Sequence, residues 1–201
     1  MIPKGINTNE TIYMIRHAEA HPSSTWDDGN LVGAGQWRAL DLPHALRGKI
    51  SPTRVYSIDP AQVYPGAYIT PGDSDWSYVR PSLTVAPYAI ANNLPYHLVS
   101  DFEIFAKDSP KLTSDLFFFN PKFSNQTVLL AWEHEHIPPT IRALLASYFP
   151  AHKVPPVPDW PFSDFDTIWT VTLDAKGNLT VTNALCEGID SAKLPVTAPH
   201  F

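Results

Sequence analysis

The segment Thr11-Ile12-Tyr13-Met14-Ile15-Arg16-His17-Ala18-Glu19 decides how the rest of the chain is interpreted. It begins with a short apolar run of β-prone residues, which predicts a buried strand over Thr11–Ile15. The run ends in Arg16 and His17, so a guanidinium and an imidazole follow the strand directly. In an open α/β sheet, ligands bind at the carboxyl ends of the strands. The segment therefore predicts a binding site at that edge of a sheet.

A second segment, Thr127-Val128-Leu129-Leu130-Ala131-Trp132, predicts a central strand because it is apolar throughout. It is followed by Glu133 and then His134. Carboxyl ends of parallel strands converge at one edge of the sheet, so we expect His17 and His134 to meet there. An imidazole can act as a nucleophile, an acid or base, or a metal ligand. Arg16 adds a fixed fork of donors suited to phosphate or carboxylate.

Predicted helices alternate with strands along the remaining chain. The helices fall within 31–46, 81–93, 109–119 and 138–148, further strands at 54–58 and 98–99, and a glycine-turn hairpin at 167–182. This alternation predicts a three-layer α/β/α fold with a mainly parallel central sheet and an edge β-hairpin. Pro43 is expected at a break or end of its helix, and Pro87 predicts a kink or split.

We expect a single domain over residues 1–201, with residues 59–78 as an inserted loop. That stretch holds three prolines, two glycines and several Asp and Ser residues. A loop of this length inside a compact domain is uncommon and often functional. We expect it to form a wall or lid that selects the substrate.

The composition is that of a globular protein, with 44 % hydrophobic and 17 % charged residues. The formal net charge of −6 argues against nucleic acid or an acidic membrane surface as a partner. There is no apolar run of transmembrane length and no signal-peptide pattern at the N-terminus as written, so we expect a cytoplasmic protein. Cys186 is the single cysteine, which excludes an intrachain disulfide and gives no sign of a zinc cluster.

Arg16-His17-Ala18-Glu19 resembles the Arg-His-Gly/Ala-Glu signature of the histidine phosphatase superfamily, also called phosphoglycerate-mutase-like. The segment Leu31–Ala39 resembles the family's Leu-Thr-x-x-Gly-x-x-Gln/Arg-Ala motif, with Val32 in place of threonine. Residues 54–57 resemble its second strand. The similarity covers roughly residues 11 to 173, and the order of its parts makes it specific.

The family's second arginine motif follows that strand directly, whereas residues 59–62 of this chain contain no arginine. The pattern resumes at Val79–Ala91, so Arg80 is the candidate for the second phosphate-binding arginine. The segment Trp132-Glu133-His134-x-x-Ile137-Pro138 resembles a bacterial branch of the superfamily.

The resemblance implies a metal-independent phosphomonoester hydrolase that needs no cofactor and acts on a small-molecule substrate. His17 would attack phosphorus and become a phosphohistidine, while Arg16, Arg80 and His134 would hold the phosphoryl oxygens. A phosphoryl group carries about two negative charges near neutral pH. Its transfer depends mostly on positioning and charge stabilisation, which arginines can supply. Neither the substrate nor the oligomeric state follows from the resemblance.

The general acid stays open between several carboxylates. One branch of the family takes a glutamate from the loop after the third strand, which suggests Glu103 here, with Asp101 behind it. Another branch uses an acid directly after the second histidine, which would be Glu135. Glu103 and Glu135 rank equally.

Three further residues are expected at the substrate. Glu19 belongs to the signature that resembles the family. Trp26 and Trp76 lie in the two loops expected to overhang the pocket, where they would stack on an organic leaving group.

Two other classes of function compete with the phosphatase. His134 and His136 project to one face if they lie on a strand, so a hydrolase or binding protein with a metal site is one alternative. The other is a phosphate-ligand-binding protein of the same fold with weak or lost catalysis, which the altered second-arginine region favours.

Overall fold

The computed structural model describes residues 1–20, 29–59, 63–64, 76–99 and 109–200. The strands in these ranges are β1 (Glu10–Arg16), β2 (Arg54–Ile58), β3 (Val63–Tyr64), β4 (Trp76–Ser77), β5 (Tyr96–Val99), β6 (Thr127–Trp132), β7 (Thr167–Leu173) and β8 (Leu179–Cys186). The α-helices are α1 (Gly33–Ala45), α2 (Arg80–Ala91), α3 (Ser109–Phe118) and α4 (Ile137–Tyr148).

Six of the strands form one sheet in the order β5-β2-β6-β1-β7-β8. Strand β6 lies between β1 and β2 and pairs in parallel with both, and β2 pairs in parallel with β5. Strand β7 pairs antiparallel with β1 and with β8, which forms the edge. The predicted parallel sheet with an edge hairpin is confirmed.

The central strand β6 is covered on both faces, as its apolar sequence predicts. Val128, Leu130 and Trp132 belong to a core that includes residues of α3 and α4. Leu129 and Ala131 belong to a second core on the opposite face, which includes residues of α1 and α2. These two cores give the three layers of the predicted α/β/α fold.

The two helix prolines behave differently from each other. Pro43 lies in the last turn of α1, which ends two residues later, as expected. Pro87 lies inside α2, which continues through it, so of the predicted kink or split the helix does not show the split. Pro87 cannot donate a hydrogen bond to the carbonyl of Leu83. This side of the helix faces solvent, since the Leu83 side chain is 40 % exposed. Val85, on the other side, is fully buried and holds the helix against the sheet.

Part of the predicted inserted loop is described. Strands β3 and β4 form a separate antiparallel pair at residues 63–64 and 76–77. The remainder, residues 60–62 and 65–75, lies outside the described residues, so a role as a lid stays a prediction. Among the described helices, none has the length and apolar character needed to cross a membrane.

Candidate active site

The pairing of β1 with β6 brings the two histidine segments together. Arg16, the last residue of β1, lies opposite Trp132, the last residue of β6. The backbone N–H of His17 then donates to the carbonyl of Trp132 at 2.8 Å. His17 and the segment Glu133–His134 therefore leave the sheet side by side, as the two apolar strands predict.

Glu133 joins the two imidazoles. Its Oε1 lies 3.1 Å from Nε2 of His17, and its Oε2 lies 3.1 Å from Nδ1 of His134. Both histidines are buried, and the Glu133 side chain is 14 % exposed. One carboxylate thus occupies the space between the two rings. Nothing in the sequence predicts a role for Glu133 in the phosphatase site.

A backbone contact fixes the orientation of the His17 ring. Nδ1 of His17 lies 2.6 Å from the carbonyl oxygen of Ala18. Because a carbonyl oxygen only accepts hydrogen bonds, Nδ1 must carry a proton. Nε2 is therefore the nitrogen that faces Glu133 and the site.

The charge on Glu133 follows from its neighbours. Burial acts to raise the pKa of its carboxyl, but the charge of His17 and hydrogen bonds from His134 and His17 outweigh burial and hold the pKa well below its usual value. Glu133 is thus a carboxylate anion paired with the two histidines. This arrangement shows that the space between the rings accommodates a negatively charged group.

Arg16 lies buried between aromatic rings. Its guanidinium carbon is 3.9 Å from the ring centroid of Phe165 and 5.2 Å from that of Phe162. Its Nη1 donates to the carbonyl of Phe162 at 2.5 Å. Burial lowers the pKa of Arg16 to about 10, although nearby carboxylates, chiefly Glu133, oppose the shift.

Arg80 begins α2 and is also buried. Burial, together with the positive charge of Arg16, lowers its pKa to about 10. The two guanidiniums are thus close enough to repel each other in a poorly solvated place. A bound anion would relieve that repulsion. The Arg80 guanidinium also lies 5.5 Å from the ring centroid of Tyr78, and that ring meets His17 edge-on at 6.2 Å, so Arg80 is near the histidine loop although the insertion separates it from the second strand in sequence.

Thr84 ties helix α2 to the histidine loop. Its fully buried hydroxyl oxygen accepts a hydrogen bond from the N–H of Ala18 at 2.8 Å and donates to the carbonyl of Arg80 at 2.8 Å. These two hydrogen bonds of the Thr84 hydroxyl give a physical reason for the spacing Arg80-x-x-x-Thr84, because residues four apart in a helix are one turn apart.

Glu19 lies in a network away from the two histidines. Its carboxylate accepts hydrogen bonds from Arg38 at 3.0 Å and from Ser191 at 2.6 Å. Arg38 is fully buried and also donates to Glu187 at 2.5 Å and to the carbonyl of Ile189 at 2.9 Å. The described contacts of Glu19 thus link the loop after β1 to α1 and the C-terminal segment. A direct contact of Glu19 with substrate stays a prediction.

Glu135 points into a cleft next to His134. Its side chain is 77 % exposed, and its Oε1 lies 4.0 Å from Nε2 of His134. The cleft has a volume of about 370 Å³ and is lined by His134, Glu135, Pro138, Pro139, Asp159, Trp160 and Phe162. Trp26, Asp101, Glu103 and the side chain of Trp76 lie outside the described residues, so their roles stay predictions.

His136 does not face the same way as His134. Its ring stacks on Trp132 with centroids 6.0 Å apart, whereas the His134 ring meets Phe162 edge-on at 5.7 Å. In the part of the chain that the structure describes, no group of three or more His, Cys, Asp or Glu side chains is arranged to hold a metal ion.

No protein-family model matches the sequence, and no curated protein matches it significantly. Solved structures do share the fold. The protein histidine phosphatase SixA complexed with tungstate is 18 % identical, with 88 % of this chain and 97 % of that chain covered and a TM-score of 0.50.

Two further structures are similar over nearly their whole length. Phosphoglycerate mutase from Plasmodium falciparum is 14 % identical, covering 97 % of this chain and 99 % of that chain with a TM-score of 0.52. Mycobacterial glucosyl-3-phosphoglycerate phosphatase, in complex with inorganic phosphate, is 15 % identical and covers 90 % and 100 % with a TM-score of 0.53. The chain therefore shares the fold of these phosphatases and of phosphoglycerate mutase, which is the fold that the resemblance in sequence implies.

Proposed function

We propose that the protein is a phosphomonoester hydrolase that forms a phosphohistidine on His17. The observation that carries the proposal is one anion position between His17 and His134, with Arg16 close enough to interact with it and Arg80 close to Arg16. That position holds the Glu133 carboxylate in the present structure.

The geometry supports His17 as the nucleophile. Because Nδ1 donates to Ala18, Nε2 is the nitrogen whose lone pair can attack phosphorus once it has lost its proton. The hydrogen bonds of the loop, to Trp132 from His17 and to Thr84 from Ala18, hold the ring in place. Such positioning is a large part of catalysis of phosphoryl transfer.

The two arginines and His134 would stabilise the phosphoryl oxygens. Arg16 and Arg80 supply two positive charges in a buried place, where their effect on a developing negative charge is larger than in water. Because these groups are cationic, we propose that the reaction needs no metal. The neighbouring structures with tungstate and inorganic phosphate support an oxyanion site in this fold.

The cleft beside His134 is our proposed leaving-group site. It is lined by the aromatic rings of Trp160 and Phe162 and by His134. Its volume of about 370 Å³ suits a small organic phosphate. We therefore propose a small-molecule phosphomonoester as the substrate.

Trapping of the phosphoenzyme tests the proposal. The wild type is mixed with a ³²P-labelled phosphomonoester and quenched, and the protein is examined for an acid-labile, base-stable phosphate bond. We expect such a bond in the wild type and in His136→Ala, and none in His17→Ala. Turnover without a His17-linked phosphate would contradict the mechanism. Turnover that disappears in a strong chelator would contradict metal independence and favour the metal-binding alternative.

A phosphate-binding protein without catalysis remains the second candidate, because Glu133 already pairs with the nucleophilic nitrogen of His17. Calorimetric binding of phosphate without hydrolysis of p-nitrophenyl phosphate between pH 4 and pH 8 would favour it.

A further inference from the structure

We propose that Glu133 is the proton carrier of the reaction: it holds the Nε2 proton of His17 in the resting site and delivers it to the leaving-group oxygen. This inference rests on the proposed phosphatase function. It assigns the general acid to a carboxylate that precedes His134, whereas the resemblance suggests one after it or one in a distant loop.

Proton counting at His17 leads to this conclusion. Nδ1 carries a proton because it faces the carbonyl of Ala18 at 2.6 Å. In a neutral ring, Nε2 would then present a lone pair to Oε1 of Glu133 at 3.1 Å. Two lone pairs do not form a hydrogen bond, so a proton must lie between Nε2 and Oε1. The structure thus contains a proton already shared by the nucleophile and a carboxylate.

The second oxygen of Glu133 keeps this carboxylate in position. Oε2 lies 3.1 Å from Nδ1 of His134, which holds one side of the group while Oε1 faces His17. The charged groups around Glu133 are His17, His134 and Arg16. All three are cationic or can become so, and they stabilise the carboxylate after it has given up a proton.

The other described carboxylates are less suitable. Glu135 lies 4.0 Å from the far side of His134 and is mostly exposed. Asp164 is close enough to influence Arg16, but its oxygens accept hydrogen bonds from Thr167 and from the backbone of Asp166. Of these carboxylates, Glu133 is the one in contact with both histidines.

The proton balance of both half-reactions can be written with Glu133. In the first, Oε1 takes the Nε2 proton and the carboxyl moves out of the space between the rings as the phosphoryl group enters. Nε2 then bonds to phosphorus, the bond from phosphorus to the leaving oxygen breaks, and Glu133 gives that oxygen the proton. In the second, the Glu133 carboxylate takes a proton from water while the water oxygen attacks phosphorus and the Nε2–phosphorus bond breaks. The proton then returns from Glu133 to Nε2, and the resting pair is restored.

This role predicts that binding and turnover respond in opposite ways to the loss of the Glu133 charge. The carboxylate occupies the position between the histidines that the substrate phosphoryl group requires. A neutral amide in Glu133→Gln competes less with an anion, so inorganic phosphate and tungstate should bind at least as tightly as in the wild type. The amide cannot deliver a proton, so turnover should fall.

The test compares leaving groups. General acid catalysis typically contributes about 10²–10⁴-fold in rate. We expect phosphorylation of His17 by an alkyl phosphate to fall by about 10²-fold or more in Glu133→Gln. The burst of p-nitrophenolate from p-nitrophenyl phosphate should fall by less than about tenfold, because that leaving group needs little protonation. The phosphoenzyme should then accumulate, since activation of water is also lost.

Two further variants make the result decisive. Glu133→Asp keeps a carboxylate and should recover part of the alkyl phosphate activity. A purely structural role of Glu133 would not predict this recovery. The same leaving-group comparison on Glu135→Gln reports on the rival acid. A leaving-group effect in Glu135→Gln and none in Glu133→Gln overturns the inference while leaving the phosphohistidine intact. Absence of any His17 phosphoenzyme in the wild type overturns the proposed function itself.

Discussion

Thr84 Oγ1 accepts a hydrogen bond of 2.8 Å from the backbone N–H of Ala18, the residue that follows the proposed nucleophile His17. The same hydroxyl donates to the carbonyl of Arg80, four residues earlier in α2. One side chain therefore connects the histidine loop to the helix that carries the second arginine. Thr84 thus joins two elements of the site that are far apart in the sequence.

Replacing Thr84 with valine should damage both stability and activity. Valine has nearly the same shape but cannot accept from Ala18, so a buried N–H loses its partner. Such a loss costs about 1–3 kcal/mol in the free energy of unfolding. Urea denaturation measures this loss, and phosphoenzyme formation should slow in parallel. Thr84→Ser keeps the hydroxyl and serves as the control; equal behaviour of the two variants would contradict the proposed role of the hydrogen bond.

Gly35 is predicted to be essential for the approach of α1 to the histidine loop. A Cβ at this position would overlap the backbone carbonyl of Glu19. Gly35→Ala must therefore push the helix away from the loop after β1, and we expect weaker tungstate binding together with a lower melting temperature. Gly33→Ala is the matched control, because its Cβ would overlap the backbone of the C-terminal residues Val196–Ala198 instead. The control should lose stability but bind tungstate normally, and equal loss of binding in both variants would argue against the prediction.

The convergence of His17 and His134 was predictable from the sequence, since each follows an apolar strand. The position of Glu133 between them was not. A glutamate beside a histidine can face solvent, a metal or a neighbouring ring, and the choice here depends on where the other strand ends. Only the sheet order, which places β1 next to β6, settles it.

Nothing in the sequence indicates the hydrogen-bond network of Arg38. Arg38 and its buried partner Glu187 are 149 residues apart, and no spacing rule relates α1 to the segment after β8. Helix α2 shows a different case. Pro87 alone predicts a kink or split, but α2 continues through it because Val85 and Ala89 are packed in the core. Local patterns thus identified the elements, whereas long-range contacts decided how the site is supported.

Arg38→Met should be strongly destabilising. It would leave the carboxylates of Glu19 and Glu187 in a buried place without their cation, and breaking a buried ion pair in this way costs about 3–5 kcal/mol. Thermal or urea unfolding measures the effect. Lys193→Met is the control, because the Lys193 side chain is 83 % exposed and its pair with Asp190 lies at the surface. A surface pair contributes less than about 1 kcal/mol. A loss of similar size in both variants would contradict the structural role of Arg38.

Arg80→Gln should weaken anion binding. A charged hydrogen bond typically contributes about 1.5–3 kcal/mol, so loss of this cation should raise the dissociation constant of tungstate by about tenfold or more. Isothermal titration calorimetry measures the constant. Arg47→Gln removes an equal charge from an exposed position just after α1 and should have little effect. Equal weakening by both variants would indicate a general effect of net charge and would contradict a direct role of Arg80.

Glu10 makes the stability of the fold depend on pH. Its buried carboxyl accepts a hydrogen bond from Asn7 at 3.1 Å, and burial raises its pKa from the usual 4.5 to about 8. The folded state therefore binds a proton more tightly than the unfolded chain does. The associated stability is present below about pH 4.5 and is lost as the pH rises through about 8.

A glutamine at position 10 removes this titration. The slope of the unfolding free energy against pH due to one such group is about 1.4 kcal/mol per pH unit between the two pKa values. In Glu10→Gln we expect the unfolding free energy to fall less steeply between pH 5 and pH 8, by about 1.4 kcal/mol per pH unit. Urea denaturation at several pH values measures this slope. Glu10→Asp keeps a buried carboxyl and should retain the steeper decline. An unchanged slope in Glu10→Gln would show that Glu10 is already ionised in the folded protein, because an ionised carboxylate releases no proton over this range.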